Sequence, residues 1–292
     1  MIDLHTHTDQ SDGSVSPTAL VEQAVAMRLE ALAVTDHDTL AGYDLAVPAA
    51  AEAGLELVCG IELSTRLDQK SDGPRLPSVH LLGYFPDRPP SPEFRMWLER
   101  QQESRRQRNR DLIAKLRSLG IKITLEEVQV LGRNLTGRPH FAKILLKKGY
   151  VSTIQEAFDR YLADHAQAAV EREEPRLVEG IRRIAEGGGL PSLAHPVRLP
   201  QEDRASLAAL LRELIAAGLM GIEVYHSDHT IEAVEMYQSL AEEFDLIITG
   251  GSDFHGENKP AVSMGTGRGG NLNLSYDVLA RMRTQFAACL AR

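Results

Sequence analysis

Short apolar runs alternate along the chain with stretches whose apolar positions recur every three to four residues. Ile2–His5, Ala31–Thr35, Leu57–Glu62, Val79–Tyr84, Leu190–His195, Gly221–Tyr225 and Leu246–Gly250 read as seven strands. Ser16-Pro17 opens a helix, with serine as cap and proline at the first helical position. Leu40–Ala53 reads as a second helix, closed by Gly54, and Gly187 and Gly218 stand where later helices should end. Strands interleaved with helices predict an α/β chain that closes, or nearly closes, into a barrel. The fourth strand breaks the alternation. Residues 63–78 have no helical pattern and carry the turn signal Asp72-Gly73-Pro74, so the third and fourth strands are expected to form a hairpin.

Between the fourth and fifth strands the pattern changes. After Pro89-Pro90-Ser91-Pro92 it turns helical almost throughout: Phe94–Leu119, Leu125–Leu131, Phe141–Lys148 and Ile154–Leu162. The expected division is a barrel from residues 1–88 and 186–292, with residues 89–185 as a helical insertion that caps the substrate site. Charge sets this region apart. The chain carries a net charge of −9, yet Arg95–Arg117 and Arg133–Lys148 are each +5, and the second stretch has no acid at all. A solvated helix face accounts for most arginines of the first stretch.

Composition narrows the classes. With 292 residues, 43% hydrophobic and 25% charged, the chain is an ordinary globular protein with enough length for its own core. No apolar run is long enough to span a membrane. The start, Met1-Ile2-Asp3-Leu4-His5, has no basic and apolar leader pattern, and Cys59 and Cys289 fit no paired spacing. A cytoplasmic protein with reduced thiols and no obligate protein partner is the expectation.

The chemistry lies in histidines that follow strands. In His5-Thr6-His7, with Asp12-Gly13 close behind, alternate residues share a face and can chelate one cation. Thr35-Asp36-His37-Asp38 follows the second strand, where a helix cap accounts for Asp38 or Thr39 but not for His37. Glu62 ends an apolar strand and, if buried, needs a cation beside it. His80 sits in the run Val79–Leu82, His195 precedes Pro196, and Asp253 and His255 follow the seventh strand with i, i+2 spacing. Singly, each pattern is weak to moderate: His5-Thr6-His7 fits a polar strand end as well as a ligand pair, and His80 alone fits a satisfied core histidine better. Together, six histidines and three carboxylates gather where α/β barrels carry their active sites. Such nitrogen and oxygen donors suit Mn²⁺, Zn²⁺ or Fe²⁺ and argue against a thiolate site. Nine donors exceed one ion, so two or three divalent ions are expected, with Glu62 as a bridge. Clustered divalent ions generate hydroxide at neutral pH and neutralise a phosphoryl group.

At these residues the chain resembles the polymerase and histidinol phosphatase (PHP) family. The matching motifs are His5-Thr6-His7 with Ser11-Asp12-Gly13, Thr35-Asp36-His37-Asp38, Gly60-Ile61-Glu62, His80, His195-Pro196 and Ser252-Asp253-Phe254-His255. The resemblance implies a distorted seven-stranded (β/α)7 barrel with a three-ion centre, Mn²⁺ being the first expectation. One ion would use His5, His7, Glu62 and Asp253, the second Glu62, His80 and His195, and the third Asp12, His37 and His255. Asp12 stands where some members have histidine. Asp253, His255, Glu62 and His195 would be the catalytic core. Gly137-Arg138-Pro139-His140-Phe141-Ala142 resembles the stand-alone bacterial members that act on nucleotide phosphates rather than the histidinol-phosphate enzymes.

The leading expectation is a metal-dependent phosphatase removing the 3′-phosphate of nucleoside 3′,5′-bisphosphates, with a hydroxide between the ions attacking phosphorus. Arg138 and His140 are the first choices for binding the substrate, with Arg133, Arg198 and Lys259 behind them. The alternatives are a 5′→3′ exonuclease on short 5′-phosphorylated single strands, which uses the same site, and a non-catalytic metal-binding module, against which the complete ligand set argues. Glu223 on the sixth strand is expected to accept a hydrogen bond from a ligand imidazole. His165, His226 and His229 have no partnered spacing, and Gly251 and Gly256 read as turn residues.

Overall fold

A computed structural model describes the chain apart from residues 68–77, 133–134, 172–173, 202 and 292. The turn signal Asp72-Gly73-Pro74 and Arg133 therefore lie outside the described residues. Seven strands form one sheet in chain order: β1 (Ile2–Asp3), β2 (Ala31–Val34), β3 (Glu56–Arg66), β4 (Ser78–Phe85), β5 (Leu190–Leu193), β6 (Gly221–His226) and β7 (Ile247–Gly251). All neighbours run parallel except β4, which is antiparallel to both β3 and β5. The expected hairpin is present, with Cys59 opposite Phe85 and Arg66 opposite Ser78. The sheet closes through the residues beyond β1 and β7, where His7 N–H donates to the Phe254 carbonyl and Asp253 N–H to that of His5 (2.9 and 2.8 Å). A Cβ on Gly251 would stand 2.3 Å from the His5 nitrogen, so this closure needs glycine there and Gly251 is more than a turn residue.

The strands are flanked by α1 (Pro17–Ala26), α2 (Ala41–Ala53), α7 (Leu177–Glu186), α8 (Arg204–Ala216), α9 (Ile231–Glu243) and α10 (Tyr276–Leu290). Ser16 caps α1 by accepting from Ala19 N–H, and Gly54 closes α2 at φ 66°. Thr39 rather than Asp38 serves the first turn of α2, accepting from Ala41 N–H at 3.2 Å. Alternation along β3 decides which face each residue takes. Ile61 and Leu63 pack with Ile181 and Ile184 of α7, which turns Glu62 between them into the barrel. Leu4, Val58, Leu82 and Tyr84 share another core with Leu279, Met282 and Phe286 of α10. Each such side chain contributes roughly 1.5–3 kcal/mol when fully buried.

Between β4 and β5 stand α3 (Pro92–Ser118), α4 (Leu125–Gly132), α5 (Arg138–Lys147) and α6 (Ile154–Ala157). They pack on one another around Leu112, Leu116, Val128, Phe141, Leu145 and Leu162. The pattern over Ile154–Leu162 predicts one helix, but the chain breaks it into α6 and a π turn, Phe158–Leu162. At the sheet, β1 is shorter than expected because beyond Asp3 the chain bonds to side chains and loops. Thr6 N–H, for example, donates to Thr35 Oγ1 at 3.1 Å. Strand β6 runs one residue further than expected, through a bulge between Glu223 and Tyr225.

Candidate metal centre

Every strand end around one rim of the barrel delivers donor atoms to a common point. Glu62, 1% exposed, is at its centre. Its Oε1 lies 2.9 Å from His80 Nδ1 and 2.8 Å from His195 Nε2. Its Oε2 lies 3.2 Å from His5 Nε2, 3.0 Å from His7 Nε2 and 3.3 Å from His37 Nδ1. The two oxygens thus face two different sets of imidazoles, as a bridging carboxylate requires. Asp253 turns Oδ1 toward His5 and His7 Nε2 (3.6 and 3.4 Å), and Asp12 meets His255 Nε2 at 3.1 Å and His37 Nε2 at 3.7 Å. Donor atoms of His5, His7, Glu62 and Asp253 lie within 4.8 Å of one another, as do those of His7, Asp12, His37 and His255, and of His37, Glu62 and His80. The structure brings together all nine residues singled out by their spacing.

Their surroundings fix ring orientation. Glu223 accepts from His5 Nδ1 at 2.8 Å and from the His195 backbone N–H at 2.6 Å, leaving His5 Nε2 to face Glu62. His255 Nδ1 donates to the Asp253 carbonyl at 2.8 Å, leaving Nε2 for Asp12. Asp3 accepts from Ser252 N–H and Oγ–H and from Gly265 N–H, and so holds the loop that carries Asp253. Asp38, left-handed at φ 50°, accepts from Ser64 N–H at 2.7 Å and pairs with Arg105 of α3, tying the loop of His37 to the helical region.

The donor set fits divalent ions. Both ring nitrogens of His7 and Nδ1 of His37 are buried without a hydrogen-bond partner, although carboxylate oxygens stand 3.0–3.7 Å away. Ring nitrogens and carboxylate oxygens that converge on a point without hydrogen-bonding each other form an arrangement that a shared cation satisfies. Burial opposes ionisation of Glu62, but the imidazoles of His37, His80 and His5 outweigh it and hold the carboxyl well below its usual range. Burial pushes His37 down to about 3 and His195 to about 4, so both rings keep a free lone pair at neutral pH. His7 goes the other way: burial is outweighed by Asp253 and Glu62, which raise it to about 9. These opposite directions describe rings competing for the same few carboxylates.

The cluster opens onto a cavity of about 220 Å³. Asp12, His37 and His80 form one wall, and Arg105, Arg108, Arg138 and His140 the other. Arg138, the first residue of α5, donates to Asp164 at 2.8 Å, and Asp164 also pairs with Arg66 at 3.2 Å. His140 Nδ1 accepts from Gly137 N–H at 3.0 Å, so the neutral ring carries its proton on Nε2. Arg198 and Lys259 both reach Asp253 Oδ2, at 2.9 and 2.6 Å. Two groups escaped the sequence patterns. Arg105 and Arg108 were hidden in a run of surface arginines. His226, fully buried, brings Nε2 to 3.4 Å from Asp253 Oδ2 because the β6 bulge turns it inward while Tyr225 turns out. A glutamate three residues before a histidine at a strand end was the signal available, but only to a reader who allowed for a bulge.

A barrel whose rim holds clustered imidazoles and carboxylates beside a cationic cavity defines a metal-dependent hydrolase of phosphate esters. Comparison with known proteins makes this specific: the PHP domain matches residues 3–186, and the chain belongs to that family. A 5′-3′ exoribonuclease of Haemophilus influenzae is 34% identical over 87% of this chain and 89% of its own length. A 3′,5′-nucleoside bisphosphate phosphatase of Chromobacterium violaceum is 30% identical over 90% of each. A solved structure from Bifidobacterium adolescentis, assigned as a metal-dependent phosphoesterase, superposes with TM-score 0.79 at 30% identity, covering 100% of this chain and 98% of that one. The protein is a metal-dependent phosphoesterase of the PHP family, an α/β barrel of seven strands.

Proposed function

We propose that the enzyme removes the 3′-phosphate of nucleoside 3′,5′-bisphosphates, with α3–α6 as a cap over the substrate. The observation that carries this reading is the two-walled cavity: a His and carboxylate cluster on one side and Arg105, Arg108, Arg138 and His140 on the other, in a space of about 220 Å³. One small molecule with two phosphates would engage both walls. His5, His7, Asp12, His37, Glu62, His80, His195, Asp253 and His255 would hold two or three divalent ions, Mn²⁺ being the first choice among Mn²⁺, Zn²⁺ and Fe²⁺. Such ions supply a nucleophile at neutral pH and neutralise the reacting phosphoryl group. The chain's own residues do the rest. Glu223 and the Asp253 carbonyl orient His5 and His255. Arg198 and Lys259, at Asp253 Oδ2, would supply positive charge beside the metal centre as the phosphoryl oxygens gain negative charge. The Nε2 proton of His140 is available to a phosphate oxygen, and Arg138 offers the guanidinium hydrogens that Asp164 leaves over.

A 5′→3′ exonuclease is the second reading, favoured by the relative from Haemophilus influenzae. The long basic helix adds to it through two of its cations, the others being engaged elsewhere or not lining the cavity. On α3, Arg95 pairs with Asp44, Arg106 and Arg110 pair with Glu103, and Arg117 donates to the Ile123 carbonyl. The cations of α3 that line the cavity are Arg105 and Arg108. The test is phosphate release by protein reconstituted with Mn²⁺, Zn²⁺ or Fe²⁺, from nucleoside 3′,5′-bisphosphates, 5′-monophosphates, histidinol phosphate and 5′-phosphorylated dinucleotides. The bisphosphates are expected to be the best substrates. Release of mononucleotides from dinucleotides with no hydrolysis of bisphosphates would replace this reading with the second.

A further inference from the structure

The basic wall of the cavity has one apolar strip. Phe158, Leu135 and Pro139 line the same space as the arginines and His140. Leu135 is buried, and Phe158 is half-buried, with one side packed on the core of the helical region. Histidines aside, Phe158 is the one aromatic residue among those described that line this cavity. It is also where α6 gives way to the π turn. The Ala163 N–H reaches back five residues to the Phe158 carbonyl at 2.9 Å. A π turn inserts an extra residue into a helix and so re-aims a side chain, and such turns concentrate at functional sites. Neighbouring aromatic residues of the same region, Phe141 and Tyr161, stay in its core at 0% and 8% exposure. The segment is anchored just beyond the turn, where Asp164 holds Arg138.

A phosphate has no use for an apolar strip, since the cations and donors around it serve it. A planar, weakly polar ring does. We propose that Phe158, backed by Leu135 and Pro139, is the stacking platform of a nucleobase subsite. The ligand class follows: a nucleotide, whose base lies on Phe158 while its phosphates meet the basic residues and the metal centre. Stacking tolerates any base, since each offers a π face, so the subsite selects for the presence of a base rather than its identity. This inference rests on the nucleotide reading above and names the side chain that recognises the organic half of the substrate.

The test is a binding measurement on Mn²⁺-reconstituted protein, comparing adenosine 5′-monophosphate with ribose 5-phosphate, which lacks the base. The wild-type protein should bind the nucleotide about tenfold more tightly or better. Phe158→Leu, which still fills the core-facing side, should bring the two ligands to near-equal affinity, and Phe158→Trp should keep the preference. Equal binding of the two ligands by the wild-type protein overturns the proposal without any variant, and so does an undiminished preference in a folded Phe158→Leu. Turnover is scored separately. A clear preference for the nucleotide with no phosphate released from bisphosphates rejects the phosphatase reading while the base subsite stands.

Discussion

The two walls of the cavity are built in opposite ways. The strand-end wall is made of short side chains backed by an interlocked set of hydrogen bonds: His5 to Glu223, His255 to the Asp253 carbonyl, and Thr8 and Ser11 to Asp36. The helical wall is made of long cations that reach in from α3 and α5 and are steadied by single carboxylates, Arg105 by Asp38 and Arg138 by Asp164. A strand end fixes a donor atom tightly, which an ion needs, whereas a long side chain on a helix can follow ligands of different shape. On the proposed function, the chemistry would be seated in the sheet and the choice of substrate in the helices. Relatives named for different substrates, RNA and a nucleoside 3′,5′-bisphosphate, are what such a division would produce.

Damage to the strand-end wall should be general. Asp253→Asn or His7→Ala is expected to lower turnover of every phosphate ester by more than about 100-fold, since even residues that only orient ligands cost 10–100-fold. The apolar core is untouched, so circular dichroism should stay native. Near wild-type turnover in the metal-replete variant would remove these residues from the mechanism.

The seam between the walls is next. Arg105→Ala strips a guanidinium from the buried Asp38 and from Ser64 Oγ, 3.1 Å away. A loss of about 1.5–3 kcal/mol in urea unfolding is expected, in line with hydrogen bonds to charged groups. Arg105→Lys should recover part of it. No change in stability would show that the seam does not tie the loop of His37 to α3.

Damage to the helical wall should be selective. Arg138→Ala is expected to lower kcat/KM for a nucleoside 3′,5′-bisphosphate roughly tenfold to a hundredfold and leave a simple aryl phosphate nearly unchanged. Equal losses on both substrates would mean that Arg138 only holds Asp164.

How much of this division can be read from sequence depends on which wall is read. Strand ends announce themselves through a histidine or carboxylate that interrupts an apolar run, and His5, His37, Glu62, His195 and Asp253 were all legible that way. His226 was not. Strict alternation puts it on the outer face, and only the extra residue of β6 brings it in. The helical wall is barely legible. Arg105 and Arg108 look like their solvated neighbours, because a charged helix has no periodic mark for the one face that meets a cavity. Asp38 read as a cap, and its partner lies 67 residues away on another element. The π turn at Phe158 is marked by no local pattern in the sequence.

The smallest effect probes the steadying carboxylate. Burial would raise the Asp164 carboxyl, but Arg138 and Arg66 outweigh it and hold it below its usual 3.8. A depressed carboxylate stabilises the fold above its unfolded value, and that contribution is lost as pH falls through the native one. The melting temperature of the wild-type protein should therefore approach that of Asp164→Asn as the pH drops below about 4. The gap at neutral pH should correspond to no more than about 1 kcal/mol, since the group is partly exposed. A gap that is constant with pH would mean that the pair carries no charge-dependent stability.

The central claim is that Glu62 joins separate ions into one centre. Anomalous diffraction from crystals of the protein reconstituted with Mn²⁺, recorded at the manganese edge, counts and places the ions directly. The account predicts two or three peaks per chain, two of them contacting opposite oxygens of Glu62, one on the side of His80 and His195 and the other on the side of His5 and His7. A single peak, or a set of peaks that leaves Glu62 outside every coordination shell, would contradict it.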